Sequence, residues 1–252
     1  MYARRLVTIA FALLILVVSS APLWAQQPPP PPPVPKGLSG SAGFGLSLTQ
    51  GNSDTLNVSA AVDSIYDPKT KNVMKWNLLY LRGKQNGVLS VNRVSAMFRN
   101  EHAFSDRMFL YGEFDAFHDT FKGIDYLISP TIGVGYKLVN TMRSQFAIDA
   151  GIGAVVEQDT GAQSSGSGAV TFGEKLVQQL SDTATLKEVA SALLKTNDVA
   201  DGLYTFQFGV AAKLSSRLQL SLDVIDSYKN KPFNPLLKKN DVAVVTSIVA
   251  KY

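Results

Sequence analysis

Gln145-Phe146-Ala147-Ile148-Asp149-Ala150-Gly151-Ile152-Gly153-Ala154-Val155-Val156-Glu157 carries the clearest alternation in the chain. Phe146, Ile148, Ala150, Ile152, Ala154 and Val156 fall on one face, opposed by Gln145, Asp149, Gly151, Gly153 and Glu157. Successive side chains of a strand point to opposite sides, so a period of two reads as a strand with one apolar and one polar face.

The same period recurs on both sides of this segment. Upstream, Ala42, Phe44, Leu46 and Leu48 alternate with glycines and hydroxyls, Gly51-Asn52-Ser53-Asp54 turns the chain, and Leu56, Val58, Ala60 and Val62 answer from the next strand. Met74, Trp76, Leu78 and Tyr80 mark a third strand, and Val94, Ala96 and Phe98 a fourth. A fifth runs from Met108 to Phe117, a sixth from Leu127 to Leu138. Downstream, stripes start at Tyr204, Leu218 and Val242, giving about ten strands of roughly ten residues, the length a tilted strand needs to cross a bilayer.

The connections separate a barrel from a β-sandwich, which also alternates. With the first strand starting in the periplasm, the periplasmic turns at Asp67 to Asn72, Ser105 to Arg107, Val139 to Arg143 and Ser215 to Arg217 are short. The opposite side receives Gln85 to Ser90, His118 to Asp125, Gln158 to Gly202 and Asn230 to Asn240, which are mostly longer. That asymmetry belongs to transmembrane barrels. The expected fold is therefore all-β: a closed antiparallel transmembrane β-barrel of about ten strands over 40–252, with a small helical insertion at 158–202 in one extracellular loop. The last strand ends on Tyr252, which resembles the C-terminal signal by which outer-membrane barrels engage the barrel-assembly machinery.

The N-terminus sets the compartment. Arg4 and Arg5 precede thirteen apolar or small positions from Leu6 to Val18, and Ser19 to Ala25 ends in a small residue. This is the order of a cleaved secretory signal peptide over 1–25. The run is shorter than the roughly 20 apolar residues of a spanning helix. Localisation in a bacterial outer membrane, against its lipid, follows from leader and barrel together. Gln26, Gln27 and the prolines from Pro28 to Pro35 make residues 26–39 a polyproline-type periplasmic linker, either a plain spacer or a docking site for a periplasmic partner.

Composition excludes several classes. Without Arg4 and Arg5, 22 basic residues face 20 acidic ones with no basic cluster, so nucleic-acid binding is not expected. There is no cysteine, which removes disulfides, thiolate metal sites, a cysteine nucleophile and a lipoprotein anchor. Gly51-Asn52-Ser53-Asp54-Thr55, Ser105-Asp106-Arg107-Met108-Phe109, and Gly123-Ile124-Asp125-Tyr126 leading to Gly133-Val134-Gly135-Tyr136 resemble the salt-induced outer-membrane protein family, domain of unknown function 481. The resemblance covers residues 40 to 157 most fully and implies an outer-membrane barrel with no established substrate or catalytic residue.

Within 158–202, a Gly/Ser stretch from Gly161 to Gly168 precedes two capping-box spacings, Thr171 with Glu174 and Thr185 with Glu188. Leu186, Val189, Ala190, Leu193 and Leu194 recur at helical spacing, so two short helices are expected, as a cap over the barrel mouth or a plug. Pairing of part of this segment would instead give twelve strands. The face opposite the apolar stripes places Lys75, Arg93, Arg99, Glu101, Tyr111, Glu113, Asp115, Asp149 and Glu157 as candidate lumen-lining residues. Charges inside a narrow barrel must pair or stay hydrated, so these residues form either a salt-bridged core that seals the barrel or the lining of a selective channel. No catalytic residue, metal site or cofactor is expected; the one arrangement worth checking is His118, followed by Asp119, against Ser129. Two functions remain open: a narrow pore or small-solute transporter, and a non-conducting structural or stress-response envelope protein.

Overall fold

The computed structural model describes residues 37–49, 55–120, 122–234 and 236–252. Twelve strands follow one another: β1 (Gly37–Thr49), β2 (Thr55–Asp67), β3 (Asn72–Gln85), β4 (Val88–Ala103), β5 (Met108–Asp119), β6 (Ile124–Asn140), β7 (Ser144–Asp159), β8 (Ser165–Gln179), β9 (Ala184–Lys195), β10 (Gly202–Lys213), β11 (Leu218–Lys229) and β12 (Asn240–Lys251). Each pairs antiparallel with its sequence neighbours, and β1 pairs with β12 to close the barrel. The seam sets Ser41–Phe44 against Lys251–Ile248 and is extended by reciprocal Gly40 and Tyr252 backbone hydrogen bonds of 3.1 Å. The Tyr252 hydroxyl also bonds the Ser64 Oγ at 2.6 Å.

Three expectations change. The barrel has twelve strands, not ten. The segment 158–202 holds no helix; it supplies β8 and β9, which pair with each other and insert between β7 and β10, each extending the alternation of its neighbour. Finally, Gly37, Leu38 and Ser39, assigned to the linker, belong to β1 and pair with Asp67, Tyr66 and Ile65. The leader, the proline run and the Gly51–Asp54 turn lie outside the described residues.

We call the end at which β1 starts and β12 finishes the near end, and the opposite one the far end. The near-end turns span three or four residues each, including Leu180–Thr183 between β8 and β9. At the far end, β3 and β4 are joined by Asn86 and Gly87 alone, both at positive φ, as an Asn-Gly hairpin turn requires. The longest far-end connection, 230–239, has ten residues. The loop asymmetry is therefore milder than the sequence suggests, since most of the supposed longest loop is sheet.

Paired residues have numbers of the same parity around the whole barrel, from Gly43↔Ala61 through Lys75↔Arg99 and Asp149↔Gly173 to Ser41↔Lys251. The parity slips only beside the bulges at Gly83/Lys84, Phe117/Asp119, Ile124/Tyr126 and Lys137/Val139. Away from these, odd-numbered side chains point inward and even-numbered ones outward. The outer surface is consequently a largely apolar band, interrupted at Glu174 and Glu188, with Phe44, Trp76, Leu78, Phe98, Phe114, Ile132, Ile152, Phe172, Phe208, Leu222, Val244 and Ile248 all exposed. Such a band is unfavourable in water and favourable in lipid, where a closed sheet also satisfies every strand backbone group. The fold is that of a membrane β-barrel.

Inside, the Tyr111 and Phe109 rings lie flat against the glycines of β6 and β7. A Cβ on Gly133 would come within 2.6 Å of the Tyr111 Cζ, and one on Gly135 would overlap the Phe109 ring. These glycines are therefore small to admit aromatic rings, not to bind phosphate. Two outcomes are expected. Unboiled protein extracted in detergent migrates differently from boiled protein on a cold gel, whereas an unshifted band in the soluble periplasmic fraction would count against the barrel. In the same assay Gly135→Val loses the folded band at lower temperature, consistent with an overpacking cost of about 1–3 kcal/mol.

Candidate functional site

The inward face carries charge on two levels. Near mid-barrel, Arg99 on β4 is the hub. Its Nε donates to Glu101 (3.0 Å), Nη1 to Glu113 on β5 (2.8 Å) and Nη2 to Asp149 on β7 (2.9 Å). Lys75 on β3 pairs with Glu101 at 2.6 Å. The guanidinium also lies 3.6 Å from the Tyr111 ring centroid, a cation–π contact on the face left free by its in-plane donors. Arg99 is only 8% exposed, so three carboxylates and a ring replace the water it lost. Asp115 lies beside Glu113 and forms no ion pair with any described residue.

The second level sits at the far end. Arg93 binds Asp119 through Nε (2.8 Å) and Nη2 (2.7 Å). Glu157 on β7 is gripped by Lys195 at the end of β9 and by Lys229 at the end of β11. Lys195 further bonds Asp201 at 2.6 Å. Lys122, in the β5–β6 connection, reaches Asp241 on β12 at 2.7 Å and the Lys239 carbonyl at 2.6 Å. Beside these pairs Ile124, Leu127, Val155 and Ala169 form an apolar cluster backed by Phe117, Leu193 and Leu203. Lys122, Ile124, Val155, Glu157 and Lys229 are at most 2% exposed. The described far-end charges are therefore buried, paired and packed beside hydrocarbon.

All nine residues singled out in the sequence face inward. Lys75, Arg99, Glu101, Tyr111, Glu113 and Asp149 meet in one cluster, with Asp115 at its edge, while Arg93 and Glu157 belong to the far mouth. The sequence reading missed Asp119, Lys122, Lys195, Asp201, Lys229 and Asp241. The odd-number rule would have found the four on strands, had the period of two been followed through 158–202 for Lys195 and to the strand ends for Asp119, Lys229 and Asp241; Lys122 and Asp201 sit in connections and carry no such signal. His118 and Ser129 are not brought together. His118 is on the outward face, with Nδ1 against the Asp125 carbonyl (2.8 Å), whereas Ser129 points inward and donates to the Ala154 carbonyl (3.1 Å). Among the described residues no group of three His, Cys, Asp or Glu side chains has an arrangement that could hold a metal ion.

Removing the hub tests its role. Arg99→Met leaves Glu101, Glu113 and Asp149 without their shared cation, and uncompensated buried charge of this kind costs about 3–5 kcal/mol. The variant is expected to lose the folded gel band at markedly lower temperature, and unchanged heat resistance would show that the belt contributes little.

Comparison with solved structures returns membrane barrels. The NanC porin shares 11% identity, with 85% of this chain and 99% of that one aligned at a TM-score of 0.50, a likeness of fold alone. The translocator domain of the autotransporter NalP from Neisseria meningitidis aligns at 0.47 with 14% identity, over 87% of this chain and 89% of that one. An outer membrane channel from Pseudomonas putida F1 also aligns at 0.47, with 10% identity over 90% and 100% of the two chains. No curated protein matches the sequence. Residues 42–252, which include every inward cluster described above, match one family along their whole length, and the chain belongs to it: the family described as protein of unknown function, DUF481.

Proposed function

We propose that this protein is a bacterial outer-membrane barrel with a sealed mouth, a structural or stress-response component of the envelope rather than an open pore. The observation that carries this reading is the far-end closure, where Glu157, Lys195 and Lys229 lock β7, β9 and β11 together beside the Ile124–Leu127–Val155 cluster. Charges so deeply buried are stable only while paired, so an open far mouth requires all these contacts to break together. The leader read from residues 1–25 supports export, and the outward apolar band supports insertion in lipid. β12, which closes the seam and is followed directly by Tyr252, is the strand proposed to engage the assembly machinery, and the proline run is proposed as a spacer or a site for a periplasmic partner.

A narrow pore is the second reading. It is favoured by the near half of the lumen, where inward side chains such as Asp63 and Lys175 are exposed to solvent. Planar-bilayer recording separates the two. The wild-type protein is expected to carry no steady current, while Glu157→Ala with Lys229→Ala, which removes two of the three charges of the far-end lock, is expected to produce one. A steady wild-type current whose ion selectivity changes on neutralising Asp115 would replace the sealed reading with the pore.

A further inference from the structure

The inward lysines divide by depth. At the far end Lys122 and Lys229 are buried and paired. Toward the near end, Lys175, Lys187, Lys213 and Lys251 are all solvent-exposed, and none forms an ion pair with a described residue. They are carried by β8, β9, β10 and β12, so they occupy one wall of the lumen. Lys213 and Lys251 are the last residues of their strands at the near rim, whereas Lys187 and Lys175 lie the fourth and fifth residues inward. Lys175 is within electrostatic range of Lys75 and Lys187, and Lys251 of Lys187 and Lys213.

The acids that could answer them are few. Asp63 on β2 accepts from Asn77 at 2.7 Å and is the exposed counter-charge nearest Lys175. Asp223 on β11 takes the Ser221 hydroxyl at 2.5 Å. Glu101, Glu113 and Asp149 are already committed to Arg99 and Lys75. Four lysines without an ion-pair partner, answered only by Asp63 and Asp223, leave this wall of the lumen cationic. A concave surface on which one sign of charge predominates concentrates counter-ions.

We propose that the near half of the barrel is an aqueous vestibule that binds a multivalent oxyanion, a phosphate- or carboxylate-bearing solute entering from the near end, with Lys175 and Lys187 as its principal contacts. The primary ammonium groups supply three donors each and suit a compact polyanion approached from several directions. This site needs no passage through the barrel and stands whether or not the far mouth opens.

The absence of cysteine allows a clean probe. Val189 points inward, is 37% exposed and pairs with Lys175 across β8 and β9. Val189→Cys is to be introduced in the full chain, folded in phosphate-free detergent micelles, and titrated with an anionic and a cationic thiosulfonate. After correction for the reagents' intrinsic rates, the anionic one is expected to react on the order of tenfold or more faster. Millimolar inorganic pyrophosphate, compared with sodium chloride of equal ionic strength, is expected to slow the reaction severalfold. Adding Lys175→Gln and Lys187→Gln abolishes both effects; if that variant shows no folded gel band, Lys187→Gln alone is expected to reduce both. Lys231→Gln, which breaks an exposed far-end pair with Asp198, leaves both intact. Equal rates for the two reagents, or protection no greater than that of chloride, would overturn the vestibule site, and neither result bears on the conductance that tests the sealed mouth.

Discussion

Lipid offers no hydrogen-bonding partner, and that single constraint organises this structure. A sheet in a bilayer cannot leave an edge, because each unsatisfied backbone N–H or C=O there costs several kcal/mol. Twelve antiparallel strands meet the constraint by pairing each with its neighbour and β1 with β12. The segment between β7 and β10 adds two strands to the sheet, β8 pairing with β7 and β9 with β10, so the barrel closes with twelve strands rather than ten.

Closure with tight hairpins fixes the parity of every pair, and parity assigns every side chain to lipid or lumen. The outer band can then be almost wholly apolar. The lumen must hold what lipid rejects, and it does so in two ways. Around Arg99 and Glu157 the charges meet opposite ones within hydrogen-bonding distance, with Asp115 at the cluster's edge the exception. Lys175 and Lys187, by contrast, form no ion pair with a described residue. The same barrel wall thus carries buried ion pairs at its far end and lysines without ion-pair partners toward its near end.

Glycines complete the interior. Gly133 and Gly151 lie under Tyr111, and Gly135 under Phe109. The rings fill space that side chains from β6 and β7 would otherwise occupy, and Tyr111 in turn holds the flat face of Arg99. Packing and electrostatics therefore meet at one residue, so the steric role of the glycines and the pairing of the hub are not independent.

The sequence by itself determined the strand character of most of the chain, the apolar outer face, and the inward direction of Lys75, Arg93, Arg99, Glu101, Tyr111, Glu113, Asp115, Asp149 and Glu157, since all of these follow from a period of two. It failed at β8 and β9 for a local reason. Glu174 and Glu188 stand on the outward face and Val189 and Leu193 on the inward one, so neither face is uniform and the residual spacing imitates a helix. Only the tertiary structure decided the strand number, the closing seam and the partners of each charge. Arg99 meets Asp149 across 50 residues, and Lys229 meets Glu157 across 72, because barrel curvature brings non-adjacent strands together across the lumen. Periodicity in a chain encodes which way a side chain points, but not what stands opposite it.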